Sequence, residues 1–420
     1  ESGIYTVMNE WDKSTQLSQT MRLLGNFSAT FNIGKIYEPL EGLSYKVNFG
    51  PDFRHWREGV FIDATSVRKI KSDLSPGLNY ARLQNRRDFS WTLDNMLTYD
   101  HTFASKHNVG VTLLQTASSW NIENSSMSAN NIAKPSFLWN AFGTVDFSNI
   151  TSAAVMSSGL SERQLSSYMA RFNYGYDGRY LLTASGRWDG ASQLAEGYKT
   201  DFFPSVALGW KINKEDFMKN VDWIGNLKLR LGWGTTGNSS VDPYSTKGDV
   251  TSIFLPFNGI SNQIGYTTNE PYYTGTQNSM ANPELGWEKT TQYNLGVDFG
   301  FFKERLTGTL EVYKNTVKDL LVPSDIPGTS GFSKIMTNVG QTSNKGIELG
   351  LNGTLVQNKD FQLDLNFNIG FNKNKIDALS SGENEWILSS GWAGTQLLND
   401  DDYRAYVGGT RGLIYGSVND

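Results

Sequence analysis

Chemistry that needs a strong nucleophile or a soft metal ligand finds little in this chain. Cysteine is absent from its 420 residues, and the histidines are three: His55, His101 and His107. That removes disulfides, thiolate metal sites and cysteine nucleophiles together, and it leaves no histidine-rich centre to expect. No G-x-S-x-G nucleophile elbow occurs. Asp100-His101 is an acid–imidazole neighbour pair, but it falls at the edge of a short turn, where a structural role is the simpler reading. Asp400-Asp401-Asp402 offers carboxylate oxygens to a cation without the spaced, glycine-containing loop that Ca²⁺ sites use, so a solvated acidic turn is expected there. The sequence therefore predicts no catalytic constellation, no metal site and no resident cofactor. With 37 basic and 42 acidic residues intermixed, a net charge of −5 and no basic stripe, it predicts no nucleic-acid partner either.

What the chain does carry is pattern. From Phe361 to Asn372 alternation is unbroken: Phe361, Leu363, Leu365, Phe367, Ile369 and Phe371 fall on one side, with Gln362, Asp364, Asn366, Asn368, Gly370 and Asn372 on the other. A period of two means a β-strand, because successive side chains leave the pleat on opposite faces. Twelve such residues reach about 40 Å at roughly 3.3 Å each, well beyond an ordinary strand. Two environments suit this ribbon. One is a soluble sandwich with one wet face. The other is a membrane barrel, apolar toward lipid and polar toward an aqueous lumen. Only 38% of the chain is hydrophobic, and no apolar run approaches the eighteen or so residues of a spanning helix.

Reading onward, candidate strands lie at 22–34, 42–50, 87–100, 106–116, 164–176, 179–189, 202–213, 226–234, 288–301, 305–316, 345–355 and 360–373. The links between them alternate in length. Short ones sit at His101–Ser105, Asp177-Gly178, Asn213–Gly225, Phe302–Glu304 and Val356–Lys359; long ones at 117–163, 190–201, 235–287, 317–344 and beyond 374. Asp177-Gly178 is a type I′ hairpin signal, and Lys214–Val221 has room for a helical turn or two. Sandwiches have no reason to gather long loops at one end of successive hairpins, whereas outer-membrane barrels keep turns short on the periplasmic side and long outside. That places Asp177-Gly178 inside and 235–287 outside.

The faces agree with both environments. Leu227, Leu229, Leu231 and Trp233 oppose Lys228, Arg230, Gly232 and Gly234; Tyr293, Leu295, Val297, Phe299 and Phe301 oppose Gln292, Asn294, Asp298 and Gly300. Val206, Leu208, Trp210 and Ile212 oppose Ser205, Gly209 and Lys211, and Leu43, Tyr45, Val47 and Phe49 oppose Ser44, Lys46 and Asn48. Tyr174, Tyr176 and Tyr180 flank the Asp177-Gly178 turn, as amphipathic rings do at a membrane interface. The barrel is favoured; a soluble β-sandwich adhesin or carbohydrate-binding protein, built of units of roughly 100 residues, stays as the alternative.

Several motifs carry a resemblance. Arg171-Phe-Asn-Tyr174, Tyr180-Leu-Leu-Thr-Ala-Ser185, Arg187-Trp-Asp-Gly190, Phe203-Pro-Ser-Val-Ala-Leu-Gly-Trp210 and Leu227-Lys-Leu-Arg230 come first. Gly234-Thr-Thr-Gly-Asn238, Asn282-Pro-Glu-Leu-Gly-Trp-Glu288, Asp319-Leu-Leu321, Asn338-Val-Gly340 and Asn344-Lys-Gly-Ile-Glu348 follow in order. Together they resemble the SusC/RagA family, TonB-dependent outer-membrane transporters of Bacteroidetes.

The resemblance implies an all-β antiparallel transmembrane barrel of about 22 strands, of which residues 1–420 would supply about twelve. The N-terminal plug, the TonB box and the other strands are expected outside this stretch, and Glu1-Ser2-Gly3 looks like the middle of a chain. It also implies uptake of an oligosaccharide, or a peptide, with a SusD-like lipoprotein over the mouth and the TonB complex supplying energy. Loop-borne aromatics Trp120, Trp139, Tyr272, Tyr273, Trp386 and Trp392 are the candidate cargo contacts, since flat rings with polar tips suit sugar faces and protein partners alike. Packing of the loops is the competing role for each. Arg187, Asp189, Lys228 and Arg230 are expected to face the lumen.

Overall fold

The computed structural model describes residues 10–67, 77–145, 155–248, 251–257, 260–267, 279–327, 330, 332, 334–379, 385–388, 403–410 and 413–414. Its strands are β1 (Ser14–Leu24), β2 (Phe27–Asn32), β3 (Leu43–Ile62), β4 (Tyr80–Phe103), β5 (His107–Asn130), β6 (Val155–Tyr176) and β7 (Tyr180–Ala191). β8 (Thr200–Lys211), β9 (Ile224–Asn238), β10 (Thr251–Phe257), β11 (Ile260–Thr267), β12 (Ser279–Met280), β13 (Glu288–Phe301) and β14 (Leu306–Lys318) follow. The last are β15 (Leu321–Asp325), β16 (Lys334–Asn338), β17 (Gln341–Gln357), β18 (Gln362–Ala378), β19 (Glu385–Leu388), β20 (Tyr403–Tyr406) and β21 (Leu413–Ile414).

Thirteen of them form one sheet in the order β1-β3-β4-β5-β6-β7-β8-β9-β13-β14-β17-β18, with β2 also on β3. The order does not close: β1 and β18 stand at its ends. Each hairpin joins sequence neighbours, and the excursions between β9 and β13 and between β14 and β17 form small sheets of their own, β10-β11 and β12-β16-β15. β19-β20-β21 make a third. No helix among the described residues is long and apolar enough to cross a membrane.

The chain divides into two compact units. The first comprises Glu1–Ala29, Val47–Asp94 and Ala117–Gln164; the second comprises Thr30–Lys46, Asn95–Thr116 and Leu165–Asp420. The first has its own buried cluster of Phe61, Ala81, Ala129, Ile132, Trp139, Ala141 and Val145. The second has one of Ala191, Leu194, Ala195, Phe203, Val241, Leu285 and Trp287, and a smaller one of Ile376, Leu379 and Ala405.

Every predicted ribbon has a counterpart, with two corrections. The ribbon expected at 22–34 is two strands, β1 and β2, parted at Gly25-Asn26, where the Gly25 N–H bonds the Pro51 carbonyl at 3.0 Å. Many strands also run further toward the long-loop end than expected; β5 continues to Asn130 where the sequence predicts a link from 117. Alternation is lost there because stretches such as Asn124–Asn130 are largely polar on both faces, which leaves no apolar period to reveal the strand. The Lys214 region forms two short 3₁₀ turns, Ile212–Lys214 and Asp216–Met218.

Register settles which face is which. Leu182, Leu208, Leu231, Leu295, Val312, Ile347 and Phe371 are successive cross-strand partners through β7, β8, β9, β13, β14, β17 and β18. This row is not covered by a second sheet: Leu231 is 46% exposed, Leu295 44% and Phe371 65%. A sandwich would bury these side chains. Left open to the surroundings they form a hydrocarbon-facing belt, and the soluble sandwich is rejected. Residues one step along each strand point the other way, as period two requires.

The turns are built as hairpin geometry demands. Asp177 and Gly178 have φ of +52° and +61°, the double left-handed conformation of a type I′ turn. Arg179 donates to Asp177 Oδ2 at 2.6 Å and to Glu215 at 3.3 Å, and Trp210 Nε1 donates to Glu215 Oε1 at 2.9 Å, so two adjacent short turns are laced together. The Arg179 guanidinium holds the Asp177 carboxyl below its usual range. Glu215 is held low by the Tyr180 hydroxyl, then by Trp210 and Arg179.

Candidate functional site: the inward polar wall

The non-belt face of β7–β9, β13, β14 and the Leu165–Tyr176 part of β6, all in the second unit, carries an ordered set of polar side chains. At the turn end, Arg230 of β9 donates Nε and Nη2 to both carboxylate oxygens of Asp298 on β13, each at 2.8 Å. Its Nη2 also reaches Glu311 Oε1 on β14 at 2.6 Å. Register makes this possible. Arg230 stands opposite Gly296 on β13, which in turn stands opposite Glu311, so the guanidinium lies across a residue with no side chain. A Cβ on Gly296 would meet the guanidinium at 2.8–3.2 Å. Lys228, on the same side of β9, is the register partner of Asp298.

Toward the loop end, Arg187 Nε donates to Asp189 Oδ1 at 2.6 Å and Nη2 donates to Ser167 Oγ at 2.9 Å. Ser185 and Ser205 share a hydrogen bond of 2.7 Å, and Thr183 donates to Asn173 at 2.9 Å. Arg171, Arg187, Ser205, Gln292 and Asn294 border a concave recess of about 540 Å³ on this wall. Such a surface can exchange hydrogen bonds with hydroxyls, amides or a packed protein face. The four residues expected to face the lumen do share the polar side. They form two groups, Arg187 with Asp189 and Lys228 beside Arg230, and not one cluster. Glu311 is not among the residues the sequence singles out; its one signal there is its place on the polar parity of its ribbon.

The aromatic candidates separate. Trp120 on β5 is part-exposed, with the Arg163 guanidinium 4.7 Å from its ring centroid. Trp139 is 5% exposed within the first unit's core. Its ring lies where a Cβ on Gly59 would come within 2.1 Å, so on this structure it packs the loop. Trp386 lies on β19, and its side chain is outside the described residues. Tyr272, Tyr273, Trp392 and Asp400-Asp401-Asp402 are outside them as well. His101 sits in a ring cluster, edge-on to Phe103 at 4.5 Å.

The motif residues mostly build scaffold. Asn338 brackets the Gly286 backbone, accepting its N–H at 2.7 Å and donating to its carbonyl at 3.0 Å. Asn282 donates to the Met336 carbonyl at 2.7 Å, Trp287 Nε1 to the Lys199 carbonyl at 2.9 Å, and Glu288 accepts the Leu321 N–H at 3.1 Å.

An antiparallel sheet of long strands with a continuous exposed apolar belt, a polar reverse face and short turns at one end defines a bacterial outer-membrane β-barrel protein. Residues 4–417 match the model of the TonB dependent receptor-like β-barrel family, and the chain belongs to that family. It is 32% identical over 84% of its length to TonB-dependent receptor P26 of Formosa agariphila, and 40% identical over 52% of its length to TonB-dependent receptor SusC of Bacteroides thetaiotaomicron. It spans 34% and 21% of those two proteins. Among solved structures it is similar in fold to the RagAB peptide transporter, with a TM-score of 0.79 at 24% identity, covering 96% of this chain and 40% of that one.

Proposed function

We propose that this chain is a wall segment of an active importer in the outer membrane, working with a SusD-like surface lipoprotein and energised by TonB. The observation that carries the proposal is the division of one sheet into an exposed apolar belt and a hydrogen-bonded polar reverse face. Membrane and passage are the two media that such a sheet separates. On this reading residues 1–420 are barrel, and the plug, the TonB box and the remaining strands belong to the rest of the protein.

The cargo favoured is an oligosaccharide, as the resemblance to the SusC/RagA family implies; a peptide is the second reading, in line with the fold similarity to a peptide transporter. Trp120 is the described residue best placed for contact, with Tyr272, Tyr273, Trp386 and Trp392 the further candidates. The Arg187–Asp189 and Arg230–Asp298–Glu311 groups are proposed to line the lumen and meet polar cargo or the plug. No step of bond making is assigned to the protein.

The test is uptake. Cells carrying the full-length protein should accumulate oligosaccharides of one class in a manner lost on removing TonB, and affinity purification should bring down a lipoprotein. Uptake that persists without TonB, or passive permeation of many unrelated solutes, would overturn the importer reading. Accumulation of oligopeptides alone would decide for the second cargo.

A further inference from the structure

One stretch of the outward face is unlike the rest of the belt. The row directly above Leu295, Val312, Ile347 and Phe371 changes character partway across the sheet. On β8, β9 and β13 it is Val206, Trp233 and Tyr293. On β14, β17 and β18 it is Lys314, Lys345 and Lys373, each the cross-strand partner of the next. Like charges set directly opposite one another destabilise a sheet, so three in register carry a cost that a counter-charge would remove.

No described residue supplies one. Further along toward the long-loop end, Lys375 pairs with Asp377 at 3.4 Å and Lys289 with Asp201 at 2.6 Å. Among the described residues, Lys314, Lys345 and Lys373 have no carboxylate partner and all three are exposed. Beneath them lies a groove of about 580 Å³ on the belt, bordered by Leu231, Tyr293, Leu295, Val312, Ile347 and Phe371 and roofed by the three lysines. Lys314 stands eight residues above Leu306 at the short-turn end. That is about 27 Å along the strand at roughly 3.4 Å per residue. With a tilt of about 40° this height is close to the outer boundary of an apolar band about 25 Å tall.

We propose that this groove and its lysine row form a binding site for a phosphorylated lipid of the outer leaflet, with acyl chain against Leu295, Ile347 and Phe371 and phosphate across Lys314, Lys345 and Lys373. Charge complementarity selects the occupant: hydrocarbon below and cations above fit an anionic amphiphile, and an ammonium presents donors to phosphate oxygens from any direction. A soluble anion would use the lysines and leave the groove unfilled. A second barrel would have to place an acidic row against them.

The test uses the full-length protein in mild detergent, titrated with a bis-phosphorylated glycolipid, with its dephosphorylated counterpart and with inorganic phosphate, and read by native mass spectrometry. A parallel set is read by thermal melting. The wild type should retain the phosphorylated lipid over its counterpart by roughly ten- to a hundred-fold. The combined variant Lys314→Gln, Lys345→Gln, Lys373→Gln should lose that preference while melting, without lipid, at or above the wild-type temperature, because it relieves repulsion. Lys375→Gln, which removes a paired lysine, should keep the preference. Equal retention of both lipids by the wild type, or an unchanged preference in the triple variant, would overturn the site. Inorganic phosphate giving the same stabilisation would assign the row to a free anion, and a change of oligomeric state with no change in lipid would assign it to a second copy; either also overturns it.

Discussion

Leu285 and Leu295 are ten positions apart in one chain and live in opposite surroundings. Leu285 is fully buried, among Leu194, Phe203, Val241 and Trp287. Leu295 is 44% exposed, in a row of leucines, valine, isoleucine and phenylalanine that no described residue covers. The first is stabilised by neighbours that the chain itself brings to the loop end. The second is stabilised only by what surrounds the protein. A leucine therefore reports its environment through the company it keeps: irregular spacing and asparagine-held turns around Leu285, strict alternation with polar partners around Leu295.

The contrast is broken most strongly at the loop end. Trp287→Ala removes a buried ring and its bond to the Lys199 carbonyl, and is expected to cost about 3–5 kcal/mol. Thermal melting in detergent should show it, with protease cutting near 282–288 well before the belt strands unfold. Next comes the belt. Leu295→Arg should cost about 2–4 kcal/mol in refolding from denaturant into lipid vesicles, while Gln292→Arg, three residues away and exposed on the wet face, should stay within about 0.5 kcal/mol. Equal costs would erase the distinction between the faces.

On the polar wall, Arg230→Ala leaves Asp298 and Glu311 without their shared cation. With the guanidinium about 30% exposed, water takes up part of the loss, and about 1–2 kcal/mol is expected by denaturant titration. Arg230→Lys should restore only part, because the paired bonds to Asp298 need the planar fork. At the turns, Gly178→Ala forces a side chain onto φ +61° and should cost about 1–2 kcal/mol, visible as a lower melting temperature.

The smallest effect is on pH. Asp177 and Glu215 both have carboxyl groups held below their ordinary range by their donors. Depressed carboxyl groups contribute stability that is complete above the unfolded-state value and is lost as pH falls through the lower folded-state value. Amide exchange near 176–179 and 212–218 should stay slow until pH drops below the usual carboxylate range. Asp177→Asn should exchange faster at 176–179 at neutral pH and lose this dependence there, while 212–218 keeps the part due to Glu215.

What the sequence made legible follows from the same division. The ribbon ending in Phe371, the opposed faces of β9 and β13 and the Asp177-Gly178 turn were readable, because lipid on one side and water on the other write a period of two into the residues, and a type I′ turn writes its own pair. The outer halves of β4, β5 and β6 were not, because polar residues fall on both faces there and leave no apolar period of two. The Arg230 site was half legible. Arg230 and Asp298 fell on the polar parity of their strands, but nothing local joins residues 68 and 81 positions apart, and only the register through Gly296 brings Glu311 to the same guanidinium. Trp139 illustrates the limit from the other side: a loop tryptophan looks the same in sequence whether it waits for a ligand or fills a core.

The most direct test of the two-faced sheet uses the absence of cysteine from the chain. With any cysteine elsewhere in the full-length protein first replaced, single cysteines placed in turn at Gln292, Tyr293, Asn294, Leu295, Val297 and Asp298 in lipid vesicles can each carry a spin label. Their accessibility to oxygen, which concentrates in hydrocarbon, and to a water-soluble nickel chelate is then measured. A two-residue alternation is expected, with 293, 295 and 297 open to oxygen and closed to the chelate and 292, 294 and 298 the reverse. Labels at 293, 295 and 297 closed to both reagents would mean protein covers that face, and would contradict it.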